Sequence, residues 1–67
     1  MIKIYTDGSC IGNPGRGGWA AIIIENNKQK IISGSEKYTT NNRMELIAVI
    51  KAIDSTKKNQ LTIITDL

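Results

Sequence analysis

Three carboxylates stand where chemistry could be built: Asp7, Glu45 and Asp66. Asp7 closes an alternating run, Ile2-Lys3-Ile4-Tyr5-Thr6-Asp7, and Asp66 closes another, Leu61-Thr62-Ile63-Ile64-Thr65-Asp66. Glu45 lies near the start of a segment with helical periodicity. If the two runs are parallel neighbours, ~4.8 Å apart, both aspartates emerge at one rim of a sheet. Helical side chains lean toward the N-terminus, so Glu45 can point to the same rim. Like charges held this close destabilise one another unless they are protonated or neutralised. A hard divalent cation with oxygen ligands, Mg²⁺ or Mn²⁺, is the natural solution. The chain has no histidine, which excludes His-based zinc sites and Ser-His-Asp or Cys-His catalysis within it.

Each carboxylate also has a purely structural explanation. Asp7 before Gly8 suits an Asx-type turn. Glu45 completes a capping box with Asn42 as the N-cap. Asp66 serves as a solvating charge at a strand end. The pattern alone leaves both readings open.

The elements that must carry these groups follow from periodicity. Ile2 to Asp7 alternates and is rich in β-branched and aromatic residues, which predicts a strand. Trp19 to Glu25 is nearly all apolar and predicts a second strand. Asn26-Asn27 predicts a tight hairpin turn, because Asn tolerates positive φ. Lys28 to Tyr38 is the returning strand, its lysines and serines suited to an edge facing water. Asn42 to about Lys57 predicts an amphipathic helix. With Glu45 at zero, Leu46, Val49, Ile50 and Ile53 fall between about 40° and 140°, the expected buried stripe. Lys51, Asp54, Ser55 and Lys58 fall on the other side. Leu61 to Asp66 is the last strand. The order predicts an α/β fold with a mixed sheet: an antiparallel three-strand meander, one crossover helix and a fourth strand parallel to the first.

Between the first two strands runs a glycine-rich stretch, Gly8 to Gly18, expected to form a structured loop. It lacks the spacing of a dinucleotide fingerprint and has no Gly-Lys-Ser/Thr of a Walker A loop. Glycines let a backbone approach a ligand closely, and Ser9, Cys10 and Asn13 offer groups that could meet hydroxyls. A plain tight turn is the more common explanation for glycines. Trp19 fits a core position as well as a base-stacking platform, and Cys10 fits a small half-buried side chain better than a nucleophile.

Composition sets the outer bounds. The chain has 67 residues, 40% hydrophobic and 22% charged, which allows one small globular domain or part of one. Its longest apolar run, Trp19 to Ile24, is far short of the ~20 residues of a membrane helix. Met1-Ile2-Lys3-Ile4 is too short an apolar start for a signal peptide, and a single cysteine precludes an internal disulfide framework; both point to the cytoplasm. Nine basic residues against six acidic give a net charge of +3, which suits a polyanion without requiring one. Ordering such a chain costs on the order of 100 kcal/mol at ~1.5 kcal/mol per residue, and apolar burial in so small a domain only about offsets it. Stability is therefore expected to draw on a partner, a metal or further chain.

The motifs meet a family. Tyr5-Thr6-Asp7-Gly8-Ser9-Cys10, Gly12-Asn13-Pro14-Gly15 and Gly17-Gly18-Trp19-Ala20 resemble the opening of type 1 ribonuclease H. Thr39-Thr40-Asn41-Asn42-Arg43-Met44-Glu45-Leu46 resembles its second motif, and Ile64-Thr65-Asp66 the start of its third. The three motifs come in order and span essentially the whole chain. The resemblance implies a ribonuclease H-like fold, with residues 1–67 as a partial domain. It implies endonucleolytic hydrolysis of the RNA strand of an RNA–DNA hybrid. Asp7, Glu45 and Asp66 match the family's metal-binding carboxylates, and Gly8 would lend a backbone carbonyl. By similarity two Mg²⁺ ions would activate a water and stabilise the leaving oxygen. Ser9, Cys10, Gly12 and Asn13 fall where the family touches the RNA strand and its 2′-hydroxyls. Thr40, Asn41 and Asn42 fall where it touches the DNA strand.

The departures from the family carry expectations too. Leu67 stands where the family usually has Ser, and the family continues for roughly as many residues again. The fourth carboxylate, later helices and basic protrusion would then be missing. The last strand would become an exposed edge, open to self-association or to a complementing chain. The alternative function is accordingly a weak or inactive remnant that binds hybrid or needs a partner chain.

Overall fold

The two asparagines between the second and third strands adopt φ of 53° at Asn26 and 65° at Asn27, closing a two-residue hairpin with Glu25 opposite Lys28. Positive φ at both central residues matches the twist of the flanking strands, which is why Asn-Asn works here. A computed structural model describes residues 2–56 and 61–65. Its elements are β1 (Ile2–Ile11), β2 (Gly15–Glu25), β3 (Lys28–Thr39), α1 (Asn41–Thr56) and β4 (Leu61–Thr65). They form a sheet of order β3-β2-β1-β4. β1 pairs antiparallel with β2, β2 antiparallel with β3, and β1 parallel with β4, with Thr6 opposite Thr65. The helix supplies the crossover that a parallel return requires.

The first two strands are longer than their sequence patterns suggest. The stretch expected as a loop from Gly8 to Gly18 is mostly ladder: Gly8 pairs with Trp19, Ser9 with Gly18, Cys10 with Gly17 and Ile11 with Arg16. Only Gly12, Asn13 and Pro14 lie between the strands, with Gly12 at φ 65°. Glycine is weak in strands unless something approaches closely. Here two side chains do: a Cβ placed on Gly17 would sit 2.5 Å from Cγ2 of Thr39, the last residue of β3, and 2.9 Å from Cγ of Met44 on α1.

The helix turns a different face to the sheet from the one its periodicity suggests. Met44, Ala48 and Ala52 are fully buried, while Leu46, Ile50 and Ile53 are 51%, 55% and 42% exposed. The expected stripe of Leu46, Val49, Ile50 and Ile53 thus lies largely on the outside, with Val49 half-buried. The physical reason is distance. At Gly8 the helix backbone itself reaches the strand, at Met44 and Glu45, and at Ala21 the helix residue in the same core cluster is Ala52, a side chain small enough for a close approach. The core under it comprises Ile2, Ile4, Ala21, Ile23 and Ala52, with Ile32 and Ile63 packed at its margin. Burying one such aliphatic side chain contributes roughly 1.5–3 kcal/mol.

Candidate active site

Strand alternation sorts β1 into two sides. Ile2, Ile4 and Thr6 are buried under the helix, and Lys3, Tyr5 and Asp7 are exposed on the other face. Gly8 continues the helix side, and the fit there is tight. A Cβ placed on Gly8 would sit 2.5 Å from the Met44 carbonyl carbon and 2.6 Å from the Glu45 nitrogen. Only a residue without a side chain lets the helix backbone come this close. Two segments 37 positions apart in sequence, Asp7-Gly8 and Met44-Glu45, are joined by that contact. Asp7 is exposed and Glu45 half-buried, so both carboxylates keep access to solvent.

The start of α1 corrects the capping assignment. Thr40, not Asn42, is the N-cap: the Arg43 amide donates to Thr40 Oγ1 at 3.2 Å. The first helical hydrogen bond runs from the Met44 amide to the Thr40 carbonyl at 3.1 Å. The residue three beyond the cap is therefore Arg43, and Glu45 opens the second turn instead of sitting in the first. Glu45 is not engaged in a capping box, so the structural explanation weighed for it lapses. Asn42-x-x-Glu45 misled because it fits the box pattern, whereas Thr40-x-x-Arg43 lacks its acidic member.

The turn between β1 and β2 is tied to the corner between β3 and α1. The Asn41 amide donates to Asn13 Oδ1 at 3.0 Å, and the Cys10 thiol donates to the Thr39 carbonyl at 3.3 Å. The thiol also lies 3.8 Å from the Gly12 carbonyl and 3.9 Å from that of Ile11. Cys10 is half-buried and behaves as a packing and weakly hydrogen-bonding group. Thr39, absent from the expected site, is the residue it meets, and no sequence spacing signals that pairing. An exposed contact of 3.9 Å between Arg43 and Glu36 adds little, as surface ion pairs do.

The remaining expected site residues fall around this core. Ser9 is exposed, Gly12 is exposed at the turn, and Asn42 is exposed on the first turn of α1. Asp66 lies outside the described residues. Among the described residues no three His, Cys, Asp or Glu side chains cluster. Trp19 is half-buried and lies across Gly34: a Cβ there would sit 2.7 Å from the indole Nε1. That packing favours its structural role over a stacking platform.

Among the described residues, two surface hollows bear on the site. One of about 270 Å³ is bordered by Asp7, Gly8, Ser9, Gly18 and Trp19. A larger one of about 480 Å³ lies by the β2–β3 hairpin and the end of α1, bordered by Ile23, Lys28, Lys30 and Thr56. The larger hollow holds none of the expected site residues, and the smaller one borders the chemistry. Size is the weaker guide here: Glu25 lines the larger hollow, but Asp7 and the close backbone approach at Gly8 border the smaller.

Asp7 and Glu45 offer hard oxygen donors, and Gly8 is a cradle that any side chain would fill. That donor chemistry suits Mg²⁺ or Mn²⁺. Among the described residues no helix is long and apolar enough to cross a membrane.

Comparison with known proteins bears on what this arrangement is. The chain is 59% identical over 66 residues to a ribonuclease H of Neorickettsia sennetsu, covering 94% of this chain and 44% of that protein. It is 60% identical over 57 residues to one of Acetivibrio thermocellus, covering 85% and 39%. It thus spans less than half the length of these curated relatives. Among solved structures it is similar to LC11-RNase H1 in complex with an RNA/DNA hybrid, with TM-score 0.89 and 28% identity over all of this chain and 55% of that one. A second structure, of LC11-RNase H1 isolated from compost by a metagenomic approach, gives TM-score 0.84 and 31% identity over 98% and 54%. The sequence model of RNase H matches residues 1–67. With its motifs in order, its first and second joined at Gly8, and its whole length matched, the chain belongs to the RNase H family.

Proposed function

We propose that residues 1–67 form a partial ribonuclease H-like domain that encodes endonucleolytic hydrolysis of the RNA strand of RNA–DNA hybrids, acting in the cytoplasm. The observation that carries this reading is the close approach of Gly8 to the Met44–Glu45 backbone, which joins the segments that carry Asp7 and Glu45. Asp7, Glu45 and Asp66, with the Gly8 carbonyl, would hold two Mg²⁺ or Mn²⁺ ions. Bound there, such ions supply Lewis-acid charge and a water of lowered pKa for attack on phosphorus. The chain's own part is positional. Asp7 and Glu45 hold negative charge at fixed points on two different elements. Ser9, Cys10, Gly12 and Asn13 face the RNA strand and its 2′-hydroxyls, which DNA lacks. Thr40, Asn41 and Asn42 face the DNA strand.

The test is cleavage of a labelled hybrid in Mg²⁺ by the purified chain, beside an identically prepared Asp7→Asn variant. Cleavage lost in the variant supports the reading. Cleavage equal in both, or independent of divalent metal, overturns it for this chain.

A second reading has one observation in its favour: the apolar outer face of α1, Leu46, Ile50 and Ile53, is left exposed. On that reading the chain binds hybrid weakly and reaches full activity with a complementing chain or a second copy, paired along β4. No cleavage by the chain alone, with cleavage restored at high concentration or by a complementing piece, would favour it.

A further inference from the structure

Two hydrogen bonds cross from the β1–β2 turn to the β3–α1 corner, and both involve residues otherwise expected to face substrate. Asn13 Oδ1 accepts from the Asn41 amide at 3.0 Å, and the Cys10 thiol donates to the Thr39 carbonyl at 3.3 Å. The Asn41 amide is one of the orphan donors at a helix start, which no intrahelical carbonyl can reach. Thr40 satisfies the Arg43 amide from within the corner, and Asn13 satisfies the Asn41 amide from outside it. The acceptor is thus supplied from 28 positions away. Gly12, at φ 65°, allows the turn that presents Asn13. At Gly15 a Cβ would collide with the carbonyls of Ile11 and Gly12, so the turn is closed tightly on its far side as well.

We infer that Asn13 and Cys10 are positioning residues: they brace the β1–β2 turn against the N-terminus of α1 and so set the spacing between the segments that touch the two strands of a hybrid. The strand assignment rests on the proposed function; the brace itself does not. Asn13 Oδ1 gives one of its two acceptor positions to Asn41, and the amide nitrogen of that side chain stays available to a ligand. The Cys10 bond anchors the other end of the turn to Thr39, the residue before the cap. With both in place, neither the turn nor the corner can shift without losing a hydrogen bond.

The test compares the unsubstituted chain with Asn13→Ala and Asn13→Asp by amide hydrogen exchange, using the Ala48 and Ala52 amides as internal references for global opening. Asn13→Asp keeps the acceptor and loses the donor. The expected result is a loss of Asn41 protection of about fivefold to tenfold in Asn13→Ala, the scale of a helix cap, with protection kept in Asn13→Asp. An Asn41 amide unprotected in the unsubstituted chain, or unchanged by Asn13→Ala, overturns the brace. The positional role is read separately, from affinity for RNA–DNA hybrid relative to DNA duplex in Ca²⁺. Asn13→Ala should narrow that ratio and Asn13→Asp, which keeps the acceptor, should hold it; a ratio unchanged in Asn13→Ala despite lost protection, or narrowed equally in both variants, overturns the positional role. A protected Asn41 in a chain with no hybrid preference would overturn the hybrid reading, and with it the strand-spacing role, while the brace stands.

Discussion

The Glu45 nitrogen lies where a Cβ on Gly8 would have to be, at 2.6 Å from that position. This contact is the hinge of the site. It brings a helix that follows three strands back against the first strand, one residue from Asp7.

Gly8→Ala should therefore be costly. The added methyl meets helix backbone on Met44 and Glu45, which cannot rotate away. Overpacking of this kind costs roughly 1–3 kcal/mol. Urea or thermal unfolding should show a lower midpoint, and wild-type stability in Gly8→Ala would mean that the helix does not sit this close.

Metal binding gives a second prediction that does not depend on turnover. Mn²⁺ at substoichiometric amounts should broaden the amide resonances of Gly8 and Glu45 before those of the β2–β3 hairpin. Glu45→Gln or Asp7→Asn should weaken that effect by at least about tenfold, since carboxylates are the preferred donors for such ions. Uniform broadening across the chain would refute a site at this place.

The cap at Thr40 separates two substitutions that look alike in sequence. Thr40→Ala removes the acceptor for the Arg43 amide and should cost about 1 kcal/mol. Asn42→Ala, on an exposed side chain inside the helix, should change stability by less than about 0.5 kcal/mol. Denaturant titration of the two variants decides the matter; a larger loss at Asn42 would restore it as the cap.

The helix face yields a further contrast. Ile50→Lys on the outer face should be tolerated within about 0.5 kcal/mol and raise solubility, because an exposed apolar cluster is removed. Ala48→Leu, at a fully buried position, should cost roughly 1–3 kcal/mol or prevent folding. Sedimentation and unfolding curves measure both.

Two buried hydroxyls, Thr6 Oγ1 and Thr39 Oγ1, have no hydrogen-bond partner among the described residues. A buried unsatisfied hydroxyl costs about 1–3 kcal/mol, so Thr39→Val should leave stability unchanged or raise it by about 1 kcal/mol. A clear loss would reveal a partner for that hydroxyl.

The strand order and the family were legible from short stretches of chain. Alternation marked β1, Asn26-Asn27 marked the hairpin, and the motifs around Asp7 and Glu45 marked the family. The extent of β1 and β2 was not legible, since Gly8, Gly17 and Gly18 read locally as loop. Nor was the buried face of α1. Leu46, Ile50 and Ile53 form the stronger apolar stripe, and hydrophobicity alone points them inward.

By itself the sequence determined the elements, their order, the carboxylates and the family, because periodicity, turn chemistry and motif spacing act within short stretches of chain. Tertiary structure alone decided which helix face meets the sheet, which residue caps it and what Asn13 and Cys10 bond to. Those outcomes depend on how close two backbones can come. At Gly8 the missing side chain lets the helix backbone reach the strand at Met44 and Glu45, a constraint between residues far apart in sequence, and the helix so placed buries Met44, Ala48 and Ala52 and leaves Leu46 and Ile50 exposed.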